Sequence, residues 1–112
     1  AEQEVEGHYV LPSDVVRDPS KCFVLRVAGD SMRDAHILDG DLVVVEKTSR
    51  CHDGDIVAAL VNGEVTVKRF RQVDGRAVLH AENPDYSDIE LGEADDLRVQ
   101  GKVAGVMRMK VQ

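Results

Sequence analysis

The chain has 112 residues, 43% of them apolar, which suits one small domain with a single hydrophobic core. Its 21 acidic and 14 basic residues give a net charge of −7, which argues against tight binding of nucleic acid or of an anionic membrane by the chain itself. No apolar run approaches the about 20 residues that a membrane span needs. We expect no signal peptide, because residues 1–10 lack a basic region followed by an apolar stretch.

In chain order, residues 1–20 are polar and are predicted to be loop-like, with Pro12 and Pro19 as breakers. The abundance of valine favours strands in the rest of the chain. Residues 31–37 are predicted to form about two helical turns, with Asp30 or Ser31 near the cap. The predicted strands cover residues 23–27, 41–46, 55–61, 64–70 and 76–80, and two further pieces lie within 97–109.

Short Asx-Gly pairs separate several of these strands. Asn62-Gly63 predicts a tight hairpin, because both turn positions of such a hairpin need a positive φ. Asp39-Gly40 and Asp74-Gly75 predict further turns, and residues 83–92 are expected to be irregular around Pro84. The pattern predicts a mostly β fold of strongly bent antiparallel sheets that form a partial barrel, with one short helix after Ser31.

Ser31 follows Gly29-Asp30 where the predicted strand gives way to the predicted helix. A serine there can project from a tight turn, and the free backbone N–H groups at a helix start could hold a developing oxyanion. A serine at such a place is more often only the helix cap, and its position alone favours that alternative.

Lys68 lies on the strand that follows the Asn62-Gly63 turn. Strand alternation places it on the face of Thr66 and Phe70, so its amine is expected to be partly buried. Burial disfavours the ammonium form, and a neutral amine can accept the proton of a serine hydroxyl. The alternative is an exposed lysine that discourages edge pairing, and position alone favours it.

Other site chemistry finds little support in the sequence. The four histidines, His8, His36, His52 and His80, lack the spacing of a metal site. The chain has no Gly-rich phosphate loop, and its acidic residues lack the spacing of a calcium loop. We therefore expect neither a metal nor a cofactor. Cys22 and Cys51 are expected to be reduced thiols of a cytoplasmic protein, although a disulfide between them stays open.

Two blocks of sequence resemble the LexA/UmuD/phage-repressor family of self-cleaving peptidases. They are FVLRVAGDSMRDAHILDGDLVVV at residues 23–45 and GDIVAALVNGEVTVKRF at residues 54–70, which place Ser31 and Lys68 37 residues apart as the family does. The segments ENPDY at 82–86 and GKVAGVMR at 101–108 are also similar, so the resemblance covers about residues 6–109. The strings EGHY and EVTVKR look closer to the LexA branch than to the UmuD branch.

The resemblance assigns roles to particular residues. It implies that Ser31 is the nucleophile and Lys68 its general base. It implies an oxyanion hole formed by the backbone N–H groups of Asp30 and Ser31. Thr66 would orient the lysine amine, and Ile89 would offer it a backbone carbonyl.

The resemblance also implies a division of the chain and a set of partners. Residues 1–20 would be the remnant of a linker and cleavage region, and residues 21–112 the catalytic and dimerisation domain. The dimer interface of the implied homodimer would include Val103, Gly105, Val106, Met107 and Arg108. The implied activator is a filament of RecA on single-stranded DNA, and no membrane partner is implied.

In the family, the cleaved Ala-Gly bond precedes the catalytic domain, so we expect it upstream of Ala1. Operator DNA would be contacted only through an amino-terminal domain that is missing here. The resemblance thus implies the catalytic and dimerisation domain of a LexA-type self-cleaving SOS transcriptional repressor. Two alternatives stay open: a non-catalytic dimerisation module, and a UmuD-like accessory subunit of a lesion-bypass polymerase. The sequence upstream of Ala1 would discriminate between a repressor and the accessory subunit.

Overall fold

A computed structural model describes residues 3–4, 16–90 and 97–108. Within these residues, eight strands pair in the order β1-β2-β3-β8-β4-β5-β6-β7, and every neighbouring pair is antiparallel. The strands are β1 Gln3–Glu4, β2 Cys22–Arg26, β3 Leu42–Lys47, β4 Ile56–Val61, β5 Glu64–Val73, β6 Arg76–His80, β7 Ile89–Glu90 and β8 Leu97–Met107. A 3₁₀ turn at Pro19–Lys21 precedes β2. No helix in the described ranges is long and apolar enough to cross a membrane.

Tight turns at Asx-Gly pairs join the central strands, as predicted. Asn62 and Gly63 have φ values of 51° and 85°, and Asp74 and Gly75 have values of 51° and 77°. Positive φ at both turn residues matches the twist of the flanking strands, and Asn, Asp and Gly tolerate it. The two hairpins therefore fix the register of β4, β5 and β6.

Three strand predictions were wrong. Gln3–Glu4 pairs with β2 inside the predicted loop, and Ile89–Glu90 pairs with β6 inside the predicted irregular segment. Residues 97–107 form one strand instead of two pieces. That strand stays continuous because its first half pairs with β4 and its second half with β3.

The predicted helix after Ser31 is shorter than expected. Only Arg33–Ala35 is helical, as a single 3₁₀ turn that ends at His36 with a φ of 62°. The amide of Asp34 donates to the carbonyl of Glu82 at 2.8 Å, so it is not free to continue an α-helical ladder. The cap position is Met32, which makes no side-chain cap bond, so Ser31 does not serve as the helix cap.

The sheet bends so strongly that strands from its two halves pack in one buried cluster. Three strands separate β2 from β5 in the sheet, and a flat sheet would hold them roughly 19 Å apart at the usual strand spacing. Leu25 on β2 nevertheless lies in the same buried cluster as Val43 on β3 and Val67 on β5. The predicted bent, mostly β architecture is therefore confirmed, and the described strands do not close into a full barrel.

Candidate active site

Ser31 lies in the loop between β2 and β3. Gly29 has a φ of 86°, which lets the chain turn sharply after β2. The Gly29 amide donates to a carboxylate oxygen of Asp39 at 2.7 Å, and this bond closes the base of the loop. Met32, next in the chain, is buried in the core cluster and anchors the loop from the other side. Ser31 is therefore held between the Gly29–Asp39 hydrogen bond on one side and the buried Met32 side chain on the other.

Lys68 lies on β5 and its side chain reaches this loop. Its Nζ atom donates to Ser31 Oγ at 3.0 Å, to Thr66 Oγ1 at 2.6 Å and to the carbonyl of Val67 at 3.2 Å. Lys68 is only 9% exposed. Val57, its partner across the β4–β5 pair, is fully buried beside it. The structure thus brings together Ser31, Lys68 and Thr66, three of the residues singled out from the sequence.

These contacts match the hydrogen-bonding capacity of the amine. An ammonium group has three donors, and Nζ has three oxygen acceptors at hydrogen-bond distance. Burial opposes the charge, whereas these acceptors favour it. When the amine loses the proton that faces Ser31, the same short contact lets the serine hydroxyl donate to the nitrogen lone pair.

An open cavity of about 480 Å³ lies against the pair. Both Ser31 and Lys68 line it, together with apolar atoms from Ala28, Val65 and Ile89. A cavity of this size has room for a few residues of an extended peptide beside the serine oxygen. In the described ranges, no group of three or more His, Cys, Asp or Glu side chains is arranged to hold a metal ion.

The loop of Ser31 presents backbone donors next to the hydroxyl. Within the described part of the chain, no hydrogen-bond partner is found for the amides of Asp30 and Ser31. The Asp30 carbonyl accepts from the Asn83 side chain at 2.9 Å, and the Asp30 carboxylate accepts from the Tyr86 hydroxyl at 2.6 Å. The hydrogen bond to Asp30 raises the pKa of Tyr86.

Asn83 and Tyr86 were missed as site residues in the sequence-based prediction, which treated their segment as an irregular loop. The sequence indications were the Asn-Pro-Asp pattern of a tight turn and the family-like segment ENPDY at 82–86, and neither showed that these side chains reach Asp30. Ile89, which was expected to offer its backbone carbonyl to the lysine, lines the cavity beside Ser31 and Lys68. A backbone carbonyl that accepts from the amine is that of Val67, the residue directly before Lys68 on the strand.

The residues expected at a dimer interface lie on the second half of β8 and just after it. Val103, Gly105, Val106 and Met107 pair along β3. The Arg108 guanidinium donates hydrogen bonds to Asp41 of the same chain.

Arg108 donates to both carboxylate oxygens of Asp41 at 2.8 Å each. Asp41 is buried, and its hydrogen bonds from Arg108 lower the pKa of the carboxyl. Cys22 and Cys51 are both free in this structure.

A serine hydroxyl held against a buried lysine amine is the arrangement of hydrolases that use lysine as the base for a serine nucleophile. A family model described as S24-like peptidase matches residues 1–104, and the chain belongs to this family of serine peptidases.

Among characterised proteins, the chain is similar to LexA repressors. It is 48% identical to the LexA repressor of Parafrankia sp. (strain EAN1pec) over 108 residues, which cover 96% of this chain and 42% of that protein. It is 47% identical to the LexA repressor of Idiomarina loihiensis over 109 residues, covering 96% and 53% of the two chains. It is 44% identical to the LexA repressor of Proteus mirabilis over 110 residues, covering 96% and 53%. The chain therefore spans about half the length of these relatives.

Proposed function

We propose that this chain is the self-cleaving peptidase and dimerisation domain of a LexA-type SOS transcriptional repressor. In this proposal residues 21–112 are the catalytic and dimerisation domain, and residues 1–20 are the remnant of a linker and cleavage region. The observation that carries the proposal is the contact of 3.0 Å between Lys68 Nζ and Ser31 Oγ, made by a lysine that is almost fully buried. The LexA repressors among the relatives favour a repressor over a polymerase accessory subunit.

In the proposed mechanism, neutral Lys68 takes the proton of Ser31 Oγ while that oxygen attacks the carbonyl carbon of an Ala-Gly bond. The amides of Asp30 and Ser31 stabilise the negative charge that develops on the carbonyl oxygen. The lysine then gives its proton to the departing amine, and water hydrolyses the acyl-enzyme. Thr66 supports these steps because its hydroxyl fixes the position of Nζ.

Control of the reaction is proposed to lie in the docking of the segment that carries the Ala-Gly bond. A docked segment over the open cavity would exclude water from Lys68, which disfavours the ammonium form further. A filament of RecA on single-stranded DNA would stimulate cleavage if it binds the docked state more tightly than the undocked state.

The test is self-cleavage of the full-length protein that contains this chain, incubated at alkaline pH and followed by mass. We expect Ser31→Ala and Lys68→Ala to slow cleavage by about 10³-fold or more, because the two groups act as one unit. Ser87→Ala and Lys47→Ala are matched controls on exposed residues and should cleave at the wild-type rate. Cleavage that persists without Ser31 or without Lys68 would refute the assignment of that residue.

A homodimer through β8 is the second part of the proposal. Between Val103 and Met107, β8 pairs with β3 on one edge, and the described residues supply no strand on its other edge. An open strand edge is a template for pairing with a second chain, and a two-fold axis would pair two copies of β8. Val106 lies on this segment and is about half exposed.

Val106→Asp should therefore shift the protein from dimer to monomer in analytical ultracentrifugation. Val73→Asp is the matched control, because Val73 is similarly exposed at the far end of β5. A dimer unaffected by Val106→Asp would contradict this interface. A wild-type protein that dimerises and does not cleave would support the alternative of a non-catalytic module.

A further inference from the structure

A turn distant in sequence holds the loop that carries Ser31. Residues 83–86 form this turn, in which the Tyr86 amide donates to the Asn83 carbonyl at 3.1 Å and Pro84 occupies the second position. Asn83 is only 3% exposed, and its Nδ2 donates to the carbonyl oxygen of Asp30 at 2.9 Å. The buried side-chain amide of Asn83 therefore hydrogen-bonds to the peptide group that joins Asp30 to Ser31.

That peptide bond is the one whose N–H group belongs to Ser31. The described chain contains no cis peptide bond, and in a planar trans peptide the carbonyl and the following N–H point in opposite directions. Fixing the Asp30 carbonyl therefore also fixes the direction of the Ser31 N–H. The same carbonyl accepts from the Arg33 amide at 3.2 Å, so two donors hold the peptide plane.

The Asn83 side chain is itself held in one orientation. Its Oδ1 accepts from the amide of Asp85 at 3.0 Å and from the Arg33 guanidinium at 3.4 Å. These donors determine which end of the side-chain amide is oxygen, so Nδ2 must face Asp30. A hydrogen bond to a peptide carbonyl also polarises that peptide and makes its N–H a stronger donor.

We propose that Asn83 is a positioning residue for the oxyanion hole, which aims and polarises the Ser31 amide without touching the substrate. This inference rests on the proposed function, because it presupposes that the Ser31 amide binds the oxyanion. Tyr86 bonds the carboxylate of Asp30 instead of its carbonyl, so it anchors the same loop without holding the peptide plane. Variants of Asn83 and Tyr86 therefore distinguish two roles: anchoring the Ser31 loop, and fixing the plane of the peptide bond between Asp30 and Ser31.

The experiment measures the rate of self-cleavage against pH in the full-length protein with Asn83→Ala, Tyr86→Phe or neither change. Loss of a direct oxyanion donor lowers kcat by about 10²- to 10³-fold, so loss of its support should lower the rate by about 10- to 100-fold. The profile for Asn83→Ala should keep its shape, because the contact between Lys68 and Ser31 Oγ is retained. Tyr86→Phe should lower the rate by less than Asn83→Ala does, because it loosens an anchor of the loop and leaves the hydrogen bond to the Asp30 carbonyl in place.

Three results would overturn the inference: a wild-type rate in Asn83→Ala, equal losses in the two variants, or a profile displaced along the pH axis in Asn83→Ala. If circular dichroism shows that Asn83→Ala is unfolded, Asn83→Asp replaces it. That variant keeps an oxygen for the Asp85 amide and loses the donor to Asp30, so its rate at high pH should fall at least as far. Ser31→Ala is measured in parallel. Cleavage that persists in Ser31→Ala would refute the proposed function. Cleavage that requires Ser31 but is unchanged by the Asn83 substitutions would refute this inference alone.

Discussion

Replacing Asp41 by asparagine removes a buried negative charge that three N–H groups share. Asp41 is 2% exposed, and its carboxylate accepts from two nitrogens of Arg108 and from the Leu38 amide, each at 2.8 Å. Asparagine offers one acceptor oxygen in place of two. At least one of these donors must therefore face an NH₂ group in Asp41→Asn.

The expected loss of stability follows from these contacts. A buried donor left without an acceptor costs about 1–3 kcal/mol. Loss of the charge-assisted bonds from Arg108 adds less than in a fully buried pair, because that side chain is 48% exposed and water screens it. We expect Asp41→Asn to lower the free energy of unfolding by about 2–4 kcal/mol in total. This is a large share of the about 5–15 kcal/mol typical of a domain.

The loss should depend on pH. The hydrogen bonds from Arg108 hold the pKa of Asp41 below the value of about 3.9 that an unfolded chain has. Its charge therefore stabilises the fold fully above that unfolded pKa, and the effect is lost as the pH falls through the lower folded pKa. The difference between wild type and variant should be constant near neutral pH and shrink below about pH 4.

The assay is urea unfolding of the chain at several pH values, followed by circular dichroism. Asp74→Asn is the matched control: it removes the same charge from an exposed hairpin position whose positive φ asparagine tolerates. The control should change the free energy of unfolding by no more than about 0.5 kcal/mol. A loss for Asp41→Asn that equals the control's, or one that persists unchanged to pH 3, would refute the reasoning.

Three further predictions concern packing and thiol chemistry. Gly101→Ala should destabilise the fold by about 1–3 kcal/mol in thermal unfolding, because a Cβ there would overlap the carbonyl oxygen of Glu46; an unchanged midpoint would contradict the close approach. Leu79→Ala should cost about 2–5 kcal/mol in urea unfolding because Leu79 is fully buried, and a loss below 1 kcal/mol would contradict its place in the core. Burial raises the pKa of Cys22 and of Cys51, so Ellman's reagent at pH 7.5 should react more slowly with the folded chain than with the urea-unfolded chain, and equal rates would contradict the burial.

Features that depend on local chemistry were predictable from the sequence. The hairpin at Asn62 and Gly63 follows from which residues tolerate a positive φ, and the central strands follow from runs of branched side chains. Alternation along one strand put Lys68 on the face of Thr66, and their contact of 2.6 Å agrees with it. The pairing of Ser31 with that lysine came from the family resemblance, because position alone favoured less specific roles for both.

Features that depend on contacts distant in sequence were not predictable. The helix expected over residues 31–37 is cut to one turn because Asp34 bonds a carbonyl that lies 48 positions later, at Glu82. Asn83 reaches a peptide bond 53 positions away, and nothing local marks that partner. Two-residue strands such as Ile89–Glu90 exist only because a neighbouring strand is already in place.

The most direct test of the central claim is the reaction of Ser31 with a fluorophosphonate, a probe that labels activated serine hydroxyls and needs no peptide substrate. We expect mass spectrometry to locate the adduct on Ser31, with a labelling rate that rises with pH as one proton is lost and that collapses in Lys68→Ala. Lys47→Ala should label as the wild type does. Equal labelling with and without the Lys68 amine, or an adduct on another serine, would contradict the claim that this amine activates this hydroxyl.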